Sequence, residues 1–144
     1  MAEQAKGKWK TFKLEVITPE RVVVKEEVEA VVVPSKDGLL GILRNHAPFI
    51  GALDIGVLKY LKDGHHRYIA CNEGIFEMTG SELRILSDTA EPGEIIDVER
   101  AKEAQKRAEE RLKQKSREID VLRAELALRR ALARQRAAEA ASKQ

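Results

Sequence analysis

The apolar and polar positions in the first two thirds of the chain follow the short period of β-strands. Near the start, Phe12, Leu14 and Val16 alternate with Lys13 and Glu15, as in a strand with one buried face. Further apolar or β-branched runs of strand length follow at 22–24, 28–33, 57–61, 67–71, 75–78 and 83–86. So many short strands within about 80 residues predict a β-sandwich or flattened barrel.

Turn-forming residues separate these runs and then stop. The dipeptides Asp37-Gly38 and Asp63-Gly64 suit hairpins, and Pro34 is predicted to end a strand. All nine glycines and all four prolines lie at or before Gly93, and the 51 residues after it contain neither. We therefore predict a β-sandwich domain at 11–93 and a different architecture at 94–144, preceded by an extension at 1–10 that is expected to be disordered.

Apolar residues in the C-terminal part recur every three or four positions, which is the period of a helix with one packed face. The first stripe is Ala101, Ala104, Ala108 and Leu112; the second is Ile119, Leu122, Leu126 and Ala133, with Ala127 and Leu128 at its edge. The pattern predicts two helices of about five turns joined by the polar segment 114–116 and packed antiparallel. A single unbroken helix is the alternative, because 114–116 contains no strong helix breaker. The predicted fold class is α+β, with an N-terminal β-sandwich followed by an antiparallel two-helix hairpin.

The predicted hairpin is rich in alanine, which limits the apolar surface that it can bury. At ~25 cal/mol per Å² of apolar area, alanines contribute much less packing energy than leucines. Isolated helices of this length are also marginal in water. The hairpin is therefore expected to be stable only against the β domain, a ligand or a partner. Such a segment can exist both packed and extended, and a ligand can shift an equilibrium of a few kcal/mol between the two forms.

The charges are divided unevenly between the two parts. Residues 1–93 carry 12 Lys and Arg against 14 Asp and Glu (−2), and residues 94–144 carry 14 against 10 (+4). On helices, Arg100 and Arg107 would share one face, and Arg123, Arg130 and Arg134 another. If the two faces meet, an anion between them would relieve the repulsion, and arginine matches phosphate and carboxylate oxygens. A solvated charged face with ion pairs along each helix is the alternative.

The sequence shows no candidate catalytic or metal centre. Cys71 is the single cysteine, so neither an intramolecular disulfide nor a cysteine zinc site is expected, and His46 beside a turn is expected to be structural. No nucleophile–base arrangement and no glycine-rich phosphate loop occurs. We find no signal peptide and no apolar run near the ~20 residues of a membrane-spanning helix, so we expect no direct membrane insertion.

Four motifs, in the same order and spacing, resemble the epsilon subunits of bacterial F-type ATP synthases. They are the opening strand at 14–21, the loop motif at 41–48, the segment at 56–58 and the closing motif at 96–101. The resemblance covers about residues 13–138. It departs from the family at Leu39, where an acidic residue is common, and at Arg44, where proline is common. The contact with the membrane ring is therefore expected to differ, and no ring-binding role is assigned to Leu39.

The resemblance implies a non-catalytic rotor subunit of the central stalk, in an enzyme that couples proton or sodium transport to ATP synthesis. The β-sandwich would bind the gamma subunit and touch the c-ring. The hairpin would either fold on the sandwich or extend along gamma toward the alpha and beta subunits, where it would inhibit ATP hydrolysis while allowing synthesis. Such a subunit is peripheral, at the cytoplasmic face of the bacterial cell membrane.

The resemblance also implies a regulatory ATP site. Some bacterial members bind ATP on the folded hairpin through an Ile-Asp-x-x-Arg-Ala motif, which stands here at 96–101. By this resemblance Asp97 and Glu91 would contact the adenine or its surroundings, and four arginines would hold the phosphates: Arg100, Arg107, Arg130 and Arg134. No cofactor is required, and ATP would be a regulatory ligand, with or without Mg²⁺.

Two other classes of function fit the sequence less well. A nucleic-acid-binding protein with a basic helical tail would contact phosphates through its arginines. However, residues 94–144 also contain ten acidic residues, and aromatic residues make up only 4% of the chain. An enzyme with a site in the β domain would need convergent polar residues, which these motifs do not supply. We therefore expect no nucleic-acid partner.

Overall fold

The computed structural model describes residues 10–114 and 118–143, and in them ten strands precede a 3-10 turn and two helices. The strands are β1 (Phe12–Ile17), β2 (Val22–Val28), β3 (Ala30–Ser35), β4 (Gly38–Ile42), β5 (Phe49–Leu53), β6 (Gly56–Lys62), β7 (His65–Cys71), β8 (Gly74–Met78), β9 (Glu82–Ser87) and β10 (Ala90–Pro92). The 3-10 turn is Gly93–Ile95, and the helices are α1 (Val98–Gln114) and α2 (Glu118–Ser142). Residues 1–9 of the predicted extension, and Lys115 and Ser116 of the predicted link, lie outside the described residues.

The strands form one sheet that folds over on itself into the predicted β-sandwich. Their order is β10-β7-β6-β3-β5-β8-β9-β1-β2, with β4 paired to β3. Neighbouring strands are antiparallel, except that β1 and β9 run parallel. Strand β3 joins the two halves, because it pairs with β6 along 30–32 but with β5 only where Ser35 faces Leu53. The predicted fold class is confirmed.

Alternate side chains of the strands fill the core between the two halves. In β1 the predicted alternation is confirmed, since Phe12, Leu14 and Val16 are buried and the residues between them are partly exposed. The largest fully buried side chains of the other strands are Ile42, Leu53, Leu58, Ile69, Phe76, Met78, Leu83 and Ile85. This core lies within the strands, so it does not depend on the helices for its burial partners.

The Asp63-Gly64 turn is as predicted, but two strand limits are not. Asp63 and Gly64 connect Lys62 to His65 with φ of 51° and 79°, which is the positive-φ pair of a two-residue hairpin loop. The run at 28–33 is divided at Glu29, whose buried carboxylate accepts the N–H of Asp63 at 2.9 Å. Pro34 does not end β3: proline has no N–H, but its carbonyl accepts the N–H of Asp54 at 2.9 Å, and the strand continues to Ser35.

The two helices pack antiparallel, so the alternative of one unbroken helix is wrong. Gln105 of α1 and Gln135 of α2 are hydrogen-bonded at 2.8 Å, while Arg111 and Arg123 line a common cleft nearer the other end of the pair. Helix α1 has the predicted length, but α2, with 25 residues, is about seven turns long rather than five.

The buried face of α2 is made of alanines rather than of the predicted leucines. Leu122 is 55% exposed, whereas the buried positions are Ala124, Ala131, Ala133, Ala137 and Ala138, of which the predicted stripe included Ala133. The side chain of Ile119 is not among those described. Helix α2 contacts α1 on one side and β6, β7 and the 3-10 turn on another, and small side chains on both sides allow this close approach. In α1 the prediction holds better, with Ala101 and Ala108 buried.

Helix α2 rests on the sandwich through a small apolar patch. Ala137 and Ala138 pack with Ile96 and Ala70, and Val57 and Tyr68 flank them. This patch buries few carbon atoms, so the docked hairpin gains little apolar stabilisation from it.

Candidate functional site

A cleft of about 550 Å³ lies where the hairpin meets the sandwich. The sandwich contributes the end of β7, the loops after β7 and β9, and Glu91 of β10. The hairpin contributes Ala104 of α1 and four residues of α2: Ala127, Arg130, Ala131 and Arg134. This volume is within the range of small-molecule sites, and the cleft exists only while the hairpin is docked.

Arg134 and Glu91 join the two walls of the cleft. Arg134 Nε lies 2.9 Å from Glu91 Oε1, and an Nη atom donates to Glu91 Oε2 at 3.4 Å. The Nε–H does not point at its neighbour, so this close approach is an ion pair and leaves the buried Nε without a hydrogen-bond acceptor among the described residues. A second anion in the cleft could supply that acceptor.

The structure places three of the six predicted site residues in the cleft: Glu91, Arg130 and Arg134. Arg100 and Arg107 are exposed on α1, four residues before and three residues after Ala104, and so share the helix face that lines the cleft. Asp97 does not line it. Its Oδ1 accepts the N–H of Arg100 at 3.1 Å, which caps the start of α1.

Sequence reasoning missed the polar residues of the sandwich wall, which are Asn72, Asp88 and Thr89. They follow β7 and β9 and come together because the N–H of Asn72 donates to the carbonyl of Thr89 at 3.1 Å. Nothing in the sequence spacing of these three residues indicates that they lie opposite the helices. Cys71 also borders the cleft, but its side chain belongs to the sandwich core. Burial raises the pKa of the Cys71 thiol to about 12, so it stays protonated.

Comparisons with known proteins decide the family. The β-sandwich domain of ATP synthase delta/epsilon chains matches residues 11–93, and the long α-helix domain of the same chains matches residues 94–139. The chain belongs to the ATP synthase epsilon chain family. The epsilon chain of Desulforamulus reducens is 49% identical over 130 residues, covering 90% of this chain and 98% of the relative. That of Desulfitobacterium hafniense is 52% identical over 128 residues, covering 89% and 96%.

Solved structures show the same fold at low sequence identity. A chain of the Euglena gracilis mitochondrial ATP synthase superposes with a TM-score of 0.76 at 20% identity, covering 93% of this chain and 82% of its own. A chain from the Tetrahymena thermophila central stalk and c-ring structure gives a TM-score of 0.53 at 13% identity, covering 93% and 98%. As an epsilon chain, the molecule is a non-catalytic stalk subunit of ATP synthase.

The epsilon chain also carries an exposed apolar row on the outer face of its second half-sheet. Ala52, Ile75, Leu86, Ile17 and Val22 are consecutive partners across β5, β8, β9, β1 and β2. Ile75 is 50% exposed and Val22 52%. Five aligned apolar side chains facing away from the core are typical of a surface that binds another protein.

Three further features of this epsilon chain bear on the predictions for Leu39, His46 and metal binding. Leu39, at a departure from the family pattern, is 77% exposed on β4. The ring of His46 packs against Phe49 with 4.9 Å between centroids, which is a structural contact. Among the described residues, no group of three or more His, Cys, Asp or Glu could hold a metal ion, and neither helix is long and apolar enough to cross a membrane.

Proposed function

We propose that this epsilon chain is a brake on ATP hydrolysis whose hairpin is held in the released position by ATP. The observation that carries the proposal is the arginine-lined cleft between two parts whose apolar contact is a small alanine patch. A ligand that touches both parts stabilises the docked state by its binding free energy. Undocked, α1 and α2 are free to extend toward the alpha and beta subunits, where acidic segments would complement the arginines.

The cleft suits a nucleoside triphosphate. Arg130 and Arg134 lie in it, and Arg100 and Arg107 lie on the adjoining face of α1, so phosphate oxygens could receive several charge-assisted hydrogen bonds. Because Asp97 is occupied in capping α1, its proposed role is indirect: it fixes the N-terminus of the helix that carries Arg100. The polar loop residues Asn72 and Thr89 would then face the remaining part of the ligand.

The apolar row on the outer sheet face is the proposed binding surface for the gamma subunit. It is continuous over five strands and lies on the half-sheet away from α2, which packs on β6 and β7. Gamma and the hairpin could therefore occupy the sandwich at the same time. The proposed contact with the c-ring lies at the loops of the sandwich, and through it the subunit would sit at the cytoplasmic face of a bacterial membrane and turn with proton or sodium transport.

Replacing Arg130 by alanine is expected to weaken ATP binding about 10-fold or more, since hydrogen bonds between charged groups contribute ~1.5–3 kcal/mol each. The measurement is an equilibrium titration of the isolated subunit with ATP, with and without Mg²⁺. Arg123→Ala is the matched control, because it removes an arginine of α2 that does not line the cleft. Absence of binding by the unaltered subunit at millimolar ATP would rule out the nucleotide site.

A further inference from the structure

Helix α2 directs two neighbouring arginines to different parts of the sandwich. Arg130 lines the candidate nucleotide cleft, whereas Arg129 donates from an Nη atom to Asp54 Oδ2 at 2.8 Å. Asp54 lies in the loop between β5 and β6, 75 residues from Arg129. The contact therefore ties the middle of α2 to a loop that takes no part in the cleft.

Asp54 is held in place by hydrogen bonds within the sandwich that do not involve the helix. Its backbone N–H donates to the carbonyl of Pro34 at 2.9 Å, and its Oδ1 accepts the N–H of Ile55 at 2.8 Å. These bonds leave Oδ2 directed at the helix, so the carboxylate loses little freedom when Arg129 binds. Its side chain is only 23% exposed, so the pair is less screened by water than a fully exposed one.

The charges around Asp54 favour its ionised form. Partial burial alone would raise the pKa of this carboxyl, but the hydrogen bonds from Arg129 and Ile55 and the charges of Arg129 and Lys36 outweigh burial and hold the pKa below its usual value. Asp54 is thus ionised at neutral pH. A neighbouring ion pair, Lys36 with Glu73, has both partners in the sandwich and does not involve the hairpin.

We propose that Asp54 is a positioning residue that docks α2 through Arg129 and thereby places Arg130 and Arg134 over the cleft. The docking role of Asp54 follows from its contact with Arg129, and its effect on ATP binding rests on the proposed function. The Arg129–Asp54 pair and the Arg134–Glu91 pair hold α2 at two points, five residues apart along the helix. Of the two acidic partners, Glu91 lines the cleft and Asp54 does not, so the Asp54 contact can hold the hairpin while the nucleotide site is empty.

The test measures how often α2 leaves the sandwich in the full chain. Ala138 is buried in the apolar patch, so the thiol introduced by Ala138→Cys reacts with a labelling reagent only when the helix lifts away. The native Cys71 borders the cleft, so the assay uses a Cys71→Ala background in which the introduced thiol is the single one that reacts. The ratio of the labelling rate to that of the same thiol in the urea-unfolded chain gives the undocked fraction.

Asp54→Asn is expected to raise the undocked fraction about three- to fivefold, the upper range for a partly exposed ion pair. Asparagine can still accept the N–H of Ile55 through Oδ1, so the loop is retained and only the bond to Arg129 is lost. Glu82→Gln is the matched control and should leave the labelling rate unchanged, because it removes a partly exposed carboxylate that pairs with Arg84 inside the sandwich. The double substitution Asp54→Asn with Arg129→Gln should label no faster than Asp54→Asn alone, because both changes remove the same contact.

Labelling of Asp54→Asn at the unaltered rate, or equal acceleration by Glu82→Gln, would overturn the proposal. So would a double variant whose acceleration is the product of the accelerations caused by Asp54→Asn and Arg129→Gln alone. The same assay separates this inference from the ATP site. If ATP slows labelling in neither background while Asp54→Asn still accelerates it, the nucleotide proposal fails and the positioning role of Asp54 stands.

Discussion

Replacing Gly93 by alanine is expected to release the hairpin while leaving the β-sandwich folded. A Cβ at this position would lie 2.4 Å from the carbonyl oxygen of Ala137 and 2.9 Å from the Cβ of Ala141, both on α2. The carbonyl oxygen belongs to the helix backbone and cannot rotate away, so the helix must move. Overpacking of this kind costs about 1–3 kcal/mol, which corresponds to an undocked fraction about 5- to 150-fold larger.

The measurement is the labelling of the Ala138→Cys thiol, with urea unfolding of the sandwich followed in parallel. Gly41→Ala is the matched control, because an added Cβ there meets nothing within 4 Å. Faster labelling with an unchanged unfolding midpoint is the expected result. If Gly93→Ala labels no faster than Gly41→Ala, the tight contact between α2 and Gly93 does not control docking.

The second large effect is expected at the apolar row. Leu86 lies in the middle of it, with Ile75 on one side and Ile17 on the other. Leu86→Asp would bury an unpaired carboxylate in the proposed gamma interface, where losses of about 3–5 kcal/mol are usual, so the affinity for gamma should fall at least about 100-fold. Because Leu86 faces solvent in the free subunit, the free energy of unfolding should change by only about 1 kcal/mol.

Purified gamma subunit and an equilibrium binding measurement test this prediction. Leu43→Asp serves as the control, since Leu43 is an exposed leucine in the loop after β4, outside both the row and the hairpin. The control should bind gamma as the unaltered chain does. Unchanged gamma binding by Leu86→Asp would show that the row is not the contact surface.

The β-sandwich could be predicted from the sequence because its signals are local. The alternation of Phe12, Leu14 and Val16 follows from the two-residue period of a strand, and the Asp63-Gly64 turn follows from the need for positive φ. The predicted end of β3 at Pro34 was wrong because of a tertiary hydrogen bond. The N–H of Asp54, which is far from Pro34 in sequence, donates a hydrogen bond to the proline carbonyl, and β3 continues past it.

The helices show more clearly that local sequence patterns do not reveal tertiary contacts. Periodicity places Leu122 on the apolar stripe of α2, but this helix contacts α1 and the sandwich at once, and close approach on both sides requires alanines such as Ala131 and Ala137. Arg130 and Arg134 were recognised through the family resemblance, whereas Asn72 and Asp88 reach the cleft only through the sheet topology. No sequence pattern connects Arg129 with Asp54.

The energetics of docking connect these observations to regulation. The sandwich has its own core, while the hairpin is attached by an alanine patch and two ion pairs, with the partners of the pairs partly exposed. Such contacts are individually weak, so the hairpin can leave without unfolding the domain beneath it. Ligands and partners acting on α1 and α2 then need supply only a few kcal/mol to change the position of the hairpin.

The most direct test is the ATP hydrolysis rate of the reconstituted ATP synthase containing either the full chain or a chain that ends at Gly93. We expect hydrolysis to be faster with the shortened chain, and we expect added ATP to relieve inhibition only in the complex with the full chain. Equal hydrolysis rates in the two complexes, at low and at high ATP, would contradict the claim that the C-terminal helices act as a brake.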